Sequence, residues 1–205
     1  MQPRRVLITG GGGDIAKAIS LDLQKRYDSI HIDSPSKKEL NVSSDLSIRE
    51  YIQDKQYDVL INNAGFISPS SFLNLDLPLF LEHINVNLIG VYNCTKCVLE
   101  NNPSCHIINI GSSAGSKFRK EWTAYCVAKA GVLAFTACLA DEGYKIWCVS
   151  PGRTKTKMRS TLFPNEDPLT LLSPKDISRE VLNVLDNKYL IGSNILVRLN
   201  ENTKN

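Results

Sequence analysis

Tyr125-Cys126-Val127-Ala128-Lys129 places a phenol and an ammonium four residues apart. On a helix, residues i and i+4 share a face. A free tyrosine has a pKa of about 10 and is a poor acid or base near neutrality. A neighbouring cation favours the phenolate, so a Tyr–Lys pair is one route to a proton donor that works near pH 7. Chance pairs of this kind are common. Here, however, Ala130 to Ala140 carry no charge, which leaves Lys129 as a lone cation on an apolar helix. Ser112 lies in the turn sequence Asn109-Ile110-Gly111-Ser112-Ser113-Ala114-Gly115. Its hydroxyl could join the same site or serve ordinary turn chemistry.

A second constellation is Thr9-Gly10-Gly11-Gly12-Gly13-Asp14-Ile15-Ala16, after the apolar run Val6-Leu7-Ile8 and before a helical pattern. Gly11, Gly13 and Ala16 fit the G-x-G-x-x-G/A pattern in its required strand–turn–helix context. Glycines let the backbone approach a pyrophosphate, and the helix start offers unpaired N–H groups. Asp14 suits a helix start, but its charge would repel phosphate if it pointed inward. About twenty residues on, Asp33 could bond a ribose 2′-hydroxyl, favouring NAD, or cap a strand end. Lys37 and Lys38 could pair with a 2′-phosphate, favouring NADP, or belong to a solvated loop. The cofactor reading is therefore NADP or NAD, with the balance tilted slightly to NADP.

These residues need elements to hold them, and the pattern supplies an alternation. Short apolar runs at 6–8, 29–32, 59–61, 106–110, 145–149 and 195–197 read as buried strands. Helical spacing covers 15–26, 48–54, 78–100, 123–141 and 174–186, the last with Ser173 as N-cap and Pro174 at its first position. The stretch 153–173 reads as loop. Strands alternating with helices predict an α/β fold with a doubly wound parallel sheet. Neither a linker nor a repeat interrupts the pattern, so one domain over 1–200 is expected, with a polar tail over 201–205. Ligands in such sheets sit beyond the carboxyl ends of the strands. The turns at Gly10–Gly13, Asn62–Gly65, Gly111–Gly115 and Pro151–Gly152 would converge there.

The 205 residues are 42% hydrophobic and 22% charged, with a net charge of +3. That describes a folded globular chain and falls short of the charge density of a nucleic-acid binder. No uninterrupted apolar run approaches the ~18 residues of a membrane span. The start, Met1-Gln2-Pro3-Arg4-Arg5, leads into only three apolar residues, too few for a signal peptide. No membrane association and a cytoplasmic location are expected, with the six cysteines reduced. Cys94 and Cys97 form a C-x-x-C pair. The histidines His31, His83 and His106 are scattered, so no metal site is expected.

Taken together, the motifs resemble those of the short-chain dehydrogenase/reductases, in their short form. The likeness rests on Thr9-Gly10, Asn62-Asn63-Ala64-Gly65, Asn87-Leu88-Ile89-Gly90, then Ser112, Tyr125 and Lys129, then Pro151-Gly152 and Thr156. The closing stretch Tyr189 to Val197 also matches, so the resemblance covers residues 4 to 198. It implies a Rossmann-like fold and hydride transfer between NAD(P)(H) and a carbonyl or alcohol. Tyr125 would act as general acid/base, Ser112 would hydrogen-bond the carbonyl oxygen, and Lys129 would bind the nicotinamide ribose and lower the pKa of Tyr125. Asn87 would hold a water linking Lys129 to solvent. The resemblance implies cofactor contacts from Thr9, Gly10, Gly11, Gly13, Asp14, Ile15, Asp33, Lys37, Asn41, Val42, Asn63, Ala64, Gly65, Pro151, Gly152 and Thr156. Two family glycines are replaced by Asp14 and Ala16, and the usual Asp-Gly-Gly after the last strand by Arg198-Leu199-Asn200.

Lys117, Arg119, Lys120, Arg153, Lys155, Lys157 and Arg159 should border the crevice mouth. They would favour an anionic substrate, or else are solvated loop charges. The helix over 123–140 is apolar nearly all round, so both sides should be covered, one by the sheet and one by another subunit. A homodimer or homotetramer is expected. Two other functions share this pattern: a nucleotide-sugar epimerase or dehydratase with tightly held NAD, and a non-catalytic dinucleotide-sensing protein.

Overall fold

A computed structural model describes residues 2–199. The expected tail lies outside the described residues. β1 (Arg5–Ile8), β2 (His31–Asp33), β3 (Val59–Asn62), β4 (His106–Ile110), β5 (Ile146–Pro151) and β6 (Asn194–Val197) form one sheet in the order β2-β1-β3-β4-β5-β6. Every pairing is parallel. The chain steps outward from β1 to β2, returns to β3 and then runs the other way, which opens a crevice at the switch point beside β1.

The central strands are buried on both faces, whereas the edge strands β2 and β6 expose alternate residues. Val6 and Ile8 point into one layer with α1 (Asp14–Arg26) and α7 (Pro174–Leu185), whose Ile19, Leu23, Val181 and Val184 are fully buried. Leu7 and Leu60 point into the other, against α2 (Asp45–Ile52) and α4 (Gly90–Asn101). Helix starts follow local chemistry. Ser44 accepts from the Ser47 N–H, and Asp76 accepts from the Leu79 N–H at the head of α3 (Leu77–Ile84). Asp176 accepts from both the backbone N–H and the hydroxyl of Ser173 at the start of α7.

The helix expected over 78–100 is continuous but not uniform: a π segment, Asn85–Ile89, separates α3 from α4. It inserts where Asn87 must reach the turn after β3. The loop expected over 153–173 contains α6 (Lys157–Leu162), capped by Thr156, and a 3-10 turn, Pro168–Thr170. Its short polar pattern carries too few apolar positions to show a helical period. The second strand falls at 31–33 rather than 29–32, and the second helix starts at Asp45 because Ser44 caps it.

The helix α5 (Thr123–Asp141) is, by length and composition, long and apolar enough to cross a membrane. Its scattered alanines and threonines raise the mean hydropathy without forming one apolar run. In this fold it packs on β5 and α3 and buries Ala124, Ala128, Lys129, Val132 and Thr136, while Val127 is exposed.

Candidate active site

The four turns converge as expected on one crevice of about 860 Å³ at the carboxyl ends of the strands. Of the residues expected to contact a cofactor, Gly10, Gly13, Asp14, Ile15, Lys37, Asn41, Val42, Asn63, Ala64, Gly65, Pro151, Gly152 and Thr156 line it. Asn87, Ser112, Tyr125 and Lys129 line it as well. Thr9, Gly11 and Asp33 do not.

Thr9 instead fastens two turns together. Its buried Oγ1 accepts from the N–H groups of Asn63 and Ala64, both at 3.0 Å, and Asn63 Nδ2 donates to the carbonyl of Thr9. Gly10 has φ +70, and a Cβ there would sit 2.8 Å from Ala64 Cα, so glycine is required on both counts. Gly11 faces the loop after β2: a Cβ would sit 2.0 Å from the Ser34 carbonyl oxygen, and its N–H donates to Pro35. Asp33 accepts from Arg5 Nε and Nη2 at 3.1 and 3.0 Å and from the Tyr57 hydroxyl at 2.8 Å, with His31 Nε2 at 3.2 Å from its other oxygen. The carboxylate expected on a ribose is therefore engaged elsewhere.

At the other end, α5 carries Tyr125 and Lys129 on one face, and Ser112 follows β4. Ser112 Oγ accepts from the Ala114 N–H and lies within hydrogen-bonding reach of the Tyr125 hydroxyl. The turn comes this close because Gly115 has no Cβ; one would meet the Lys129 carbonyl at 2.8 Å. Lys129 is buried, and its ammonium donates to the Ile110 carbonyl at 2.9 Å. Burial lowers the Lys129 pKa to about 8.

The expected direction for the phenol is overturned. Burial raises the Tyr125 pKa, and the Ser112 hydrogen bond only partly opposes it. Lys129 Nζ lies 5.8 Å from the Tyr125 ring centroid and spends a hydrogen bond on Ile110. In this geometry the pair is a protonated phenol beside an easily discharged ammonium.

Asn87 also differs from expectation. Its side chain is fully buried and committed: Nδ2 donates to the carbonyls of Phe66 and His83, and Oδ1 accepts from the Phe66 N–H. The amide ties the π segment to the turn after β3 instead of offering itself to a water. Gly65 permits this, since a Cβ there would lie 2.7 Å from Asn87 Oδ1.

The mouth corrects the cation count. Arg153 and Arg159 both pair with Glu166, at 3.0 and 2.6 Å, and Arg119 lies over the Trp122 ring. Lys117, Lys120 and Lys155 are exposed and outside the crevice lining. Lys157 is the one of the seven that lines the crevice without a carboxylate partner among the described residues. Asp14 does not point at a phosphate site unopposed: its carboxylate accepts from the Lys157 N–H at 2.7 Å and joins the first turn to α6. Sequence reasoning missed the apolar wall of Phe66, Trp122, Met158 and Leu162. Only Trp122, next to the start of α5 and 5.8 Å from the Tyr125 ring, left a usable signal.

Comparison with known proteins bears on the same residues. The family profile described as short chain dehydrogenase matches residues 29–167. The chain belongs to the short-chain dehydrogenase family. With that membership it falls among the NAD(P)-dependent oxidoreductases. A 3-oxoacyl-(acyl-carrier-protein) reductase of Synechocystis sp. is 37% identical over 124 residues, covering 57% of this chain and about half (49%) of that relative. The 3-oxoacyl-(acyl-carrier-protein) reductase FabG of Haemophilus influenzae is 28% identical, covering 96% of this chain and 97% of its own. The solved structure of ElxO with NADP bound superimposes with a TM-score of 0.84 at 25% identity, covering 96% and 97% of the two chains. The short-chain dehydrogenase fold is thus present from end to end of the described residues.

Proposed function

We propose that this short-chain dehydrogenase reduces a ketone or aldehyde at Tyr125, with a nicotinamide dinucleotide held along the crevice. The observation that carries this is the shared wall: Ser112, Tyr125 and Lys129 all line the space that the glycine turn opens. The residues present suit a dinucleotide. The crevice volume lies within the range of about 300–1,000 Å³ usual for cofactor sites, and glycines at 10, 13 and 65 keep it open. When bound, the cofactor supplies the hydride; the protein supplies orientation and electrostatics.

Tyr125, held protonated by burial, gives its proton to the carbonyl oxygen. Ser112 donates a hydrogen bond to that oxygen as charge develops on it. Lys129, with two donor positions beyond its bond to Ile110, holds the nicotinamide ribose and stabilises the phenolate left after proton transfer. Thr9, Asn63 and Asn87 are positioning residues that fix the turns. A raised phenol pKa favours the reductive direction over alcohol oxidation, which would need the phenolate at the outset.

The substrate body fits an apolar carbonyl compound. Two of the seven mouth cations are neutralised by Glu166, and the wall is Phe66, Trp122, Met158 and Leu162. The 3-oxoacyl chain in the names of two relatives is one molecule of that kind. We further propose a homo-oligomer through α4 and α5, where Ile89, Tyr92 and Val127 are exposed. A cytoplasmic location accords with six free thiols.

The test is reduced-cofactor fluorescence on titration, followed by a panel of ketones and aldehydes. Ser112→Ala should bind cofactor unchanged and lose about 10²–10³ in kcat. Cofactor binding with no carbonyl turnover anywhere in the panel would favour a sensing protein instead.

A further inference from the structure

The end of β2 carries the acid that, in a dinucleotide site, accepts from the ribose 2′-hydroxyl. Here that acid is occupied. Asp33 Oδ2 receives three donors, two from Arg5 and one from Tyr57, while His31 approaches Oδ1. The Tyr57 ring is fully buried beneath the sheet, and the Arg5 guanidinium stacks 5.2 Å from its centroid, so the clamp is built into the core. Asp33 contributes nothing to the crevice lining. The lining at that end holds Lys17 and Lys37, with Leu40 and Asn41.

We propose that Arg5 and Tyr57, which do not line the crevice, set the choice of cofactor by holding the Asp33 carboxylate away from it. A diol then has no acceptor, and a 2′-phosphate meets the Lys37 ammonium without facing an opposing carboxylate. The chain carries the acid of an NAD site and disables it from behind. The proposal rests on the dinucleotide reading of the crevice, and the experiment separates the two.

The measurement is the ratio of dissociation constants for NADPH and NADH, read by cofactor fluorescence at equilibrium without substrate. Wild type should bind NADPH at least about tenfold more tightly, the value of one charge-assisted contact. Tyr57→Phe keeps the buried ring and removes one donor; Arg5→Leu with Tyr57→Phe removes three. In the double variant NADH should tighten and NADPH weaken, shrinking the ratio by about tenfold or more. Asp33→Asn should leave the wild-type ratio within about threefold and cancel the NADH gain when added to the double variant. Lys37→Ala should weaken NADPH alone.

A purely structural role for Arg5 and Tyr57 would lower both affinities in parallel, and that result overturns the proposal while leaving the dinucleotide site intact. A wild-type preference for NADH overturns it as well. Wild type binding neither cofactor overturns both this proposal and the reading beneath it.

Discussion

Two ends of one crevice are built on different terms. At the catalytic end, Tyr125 and Lys129 ride one nineteen-residue helix and Ser112 sits on the turn after a fully buried stretch of β4, so the backbone dictates where each side chain points. At the mouth, Arg153, Arg159 and Asp14 sit on short or irregular segments and find partners in Glu166 and the Lys157 N–H. The lesson is that spacing on regular elements forces geometry, whereas charged groups on loops choose the nearest complement. Function follows the same division: chemistry at the fixed end, selectivity at the adjustable one.

The sharpest way to break this contrast is Lys129→Met. It should cost about 10²–10⁴ in kcat, as removal of an acid–base partner does, and weaken cofactor binding too; steady-state kinetics with cofactor titration check it. A loss confined to stability would move Lys129 from the chemistry to the core.

Next in size is Gly111→Val. A Cβ there meets Cys148 Sγ at 2.5 Å and Ser150 Oγ at 2.6 Å on β5. Overpacking of that kind costs about 1–3 kcal/mol, which thermal or denaturant unfolding would register. By contrast, Gly12→Ala, where nothing lies within 4 Å, should leave stability nearly unchanged.

Third is pH. Burial depresses the Lys129 pKa, so its charge is present below about 8 and is lost as pH rises through that value. Carbonyl reduction should therefore hold level near neutrality and fall on the alkaline side, about tenfold per unit at the limit for a single required proton. A rate that climbs through pH 8 to 9 would contradict the assignment.

The smallest effect belongs to the mouth. Glu166→Gln frees Arg153 and Arg159 and should shift KM a few-fold toward anionic carbonyl compounds with little change in kcat, as rearranged exposed ion pairs are worth about 0–1 kcal/mol. An unchanged KM ratio for anionic and neutral substrates would show that these arginines do not face substrate.

Much of the architecture was legible because burial on both faces leaves continuous apolar runs, as at Val6-Leu7-Ile8 and Val59-Leu60-Ile61. α6 escaped because six polar-rich residues carry no helical period. The π segment escaped because its cause is a side-chain contact between Asn87 and Phe66 across the fold. Ser112, Tyr125, Lys129 and Asn87 were legible as members of the crevice, but not in their electrostatics. A spacing of four residues cannot show that Lys129 donates to Ile110, or that burial outweighs its charge at Tyr125. Asp33 stood at the expected place in the chain, yet Arg5 and Tyr57, distant in sequence, turned it away.

The central claim is that the phenol at position 125 delivers the proton within the dinucleotide crevice. Its most direct test is single-turnover oxidation of bound reduced cofactor on adding a ketone, comparing wild type with Tyr125→Phe at equal cofactor occupancy. Equal binding, with oxidation at least about 10²-fold slower in the variant, is the expected result. Oxidation at the wild-type rate in Tyr125→Phe would contradict the account.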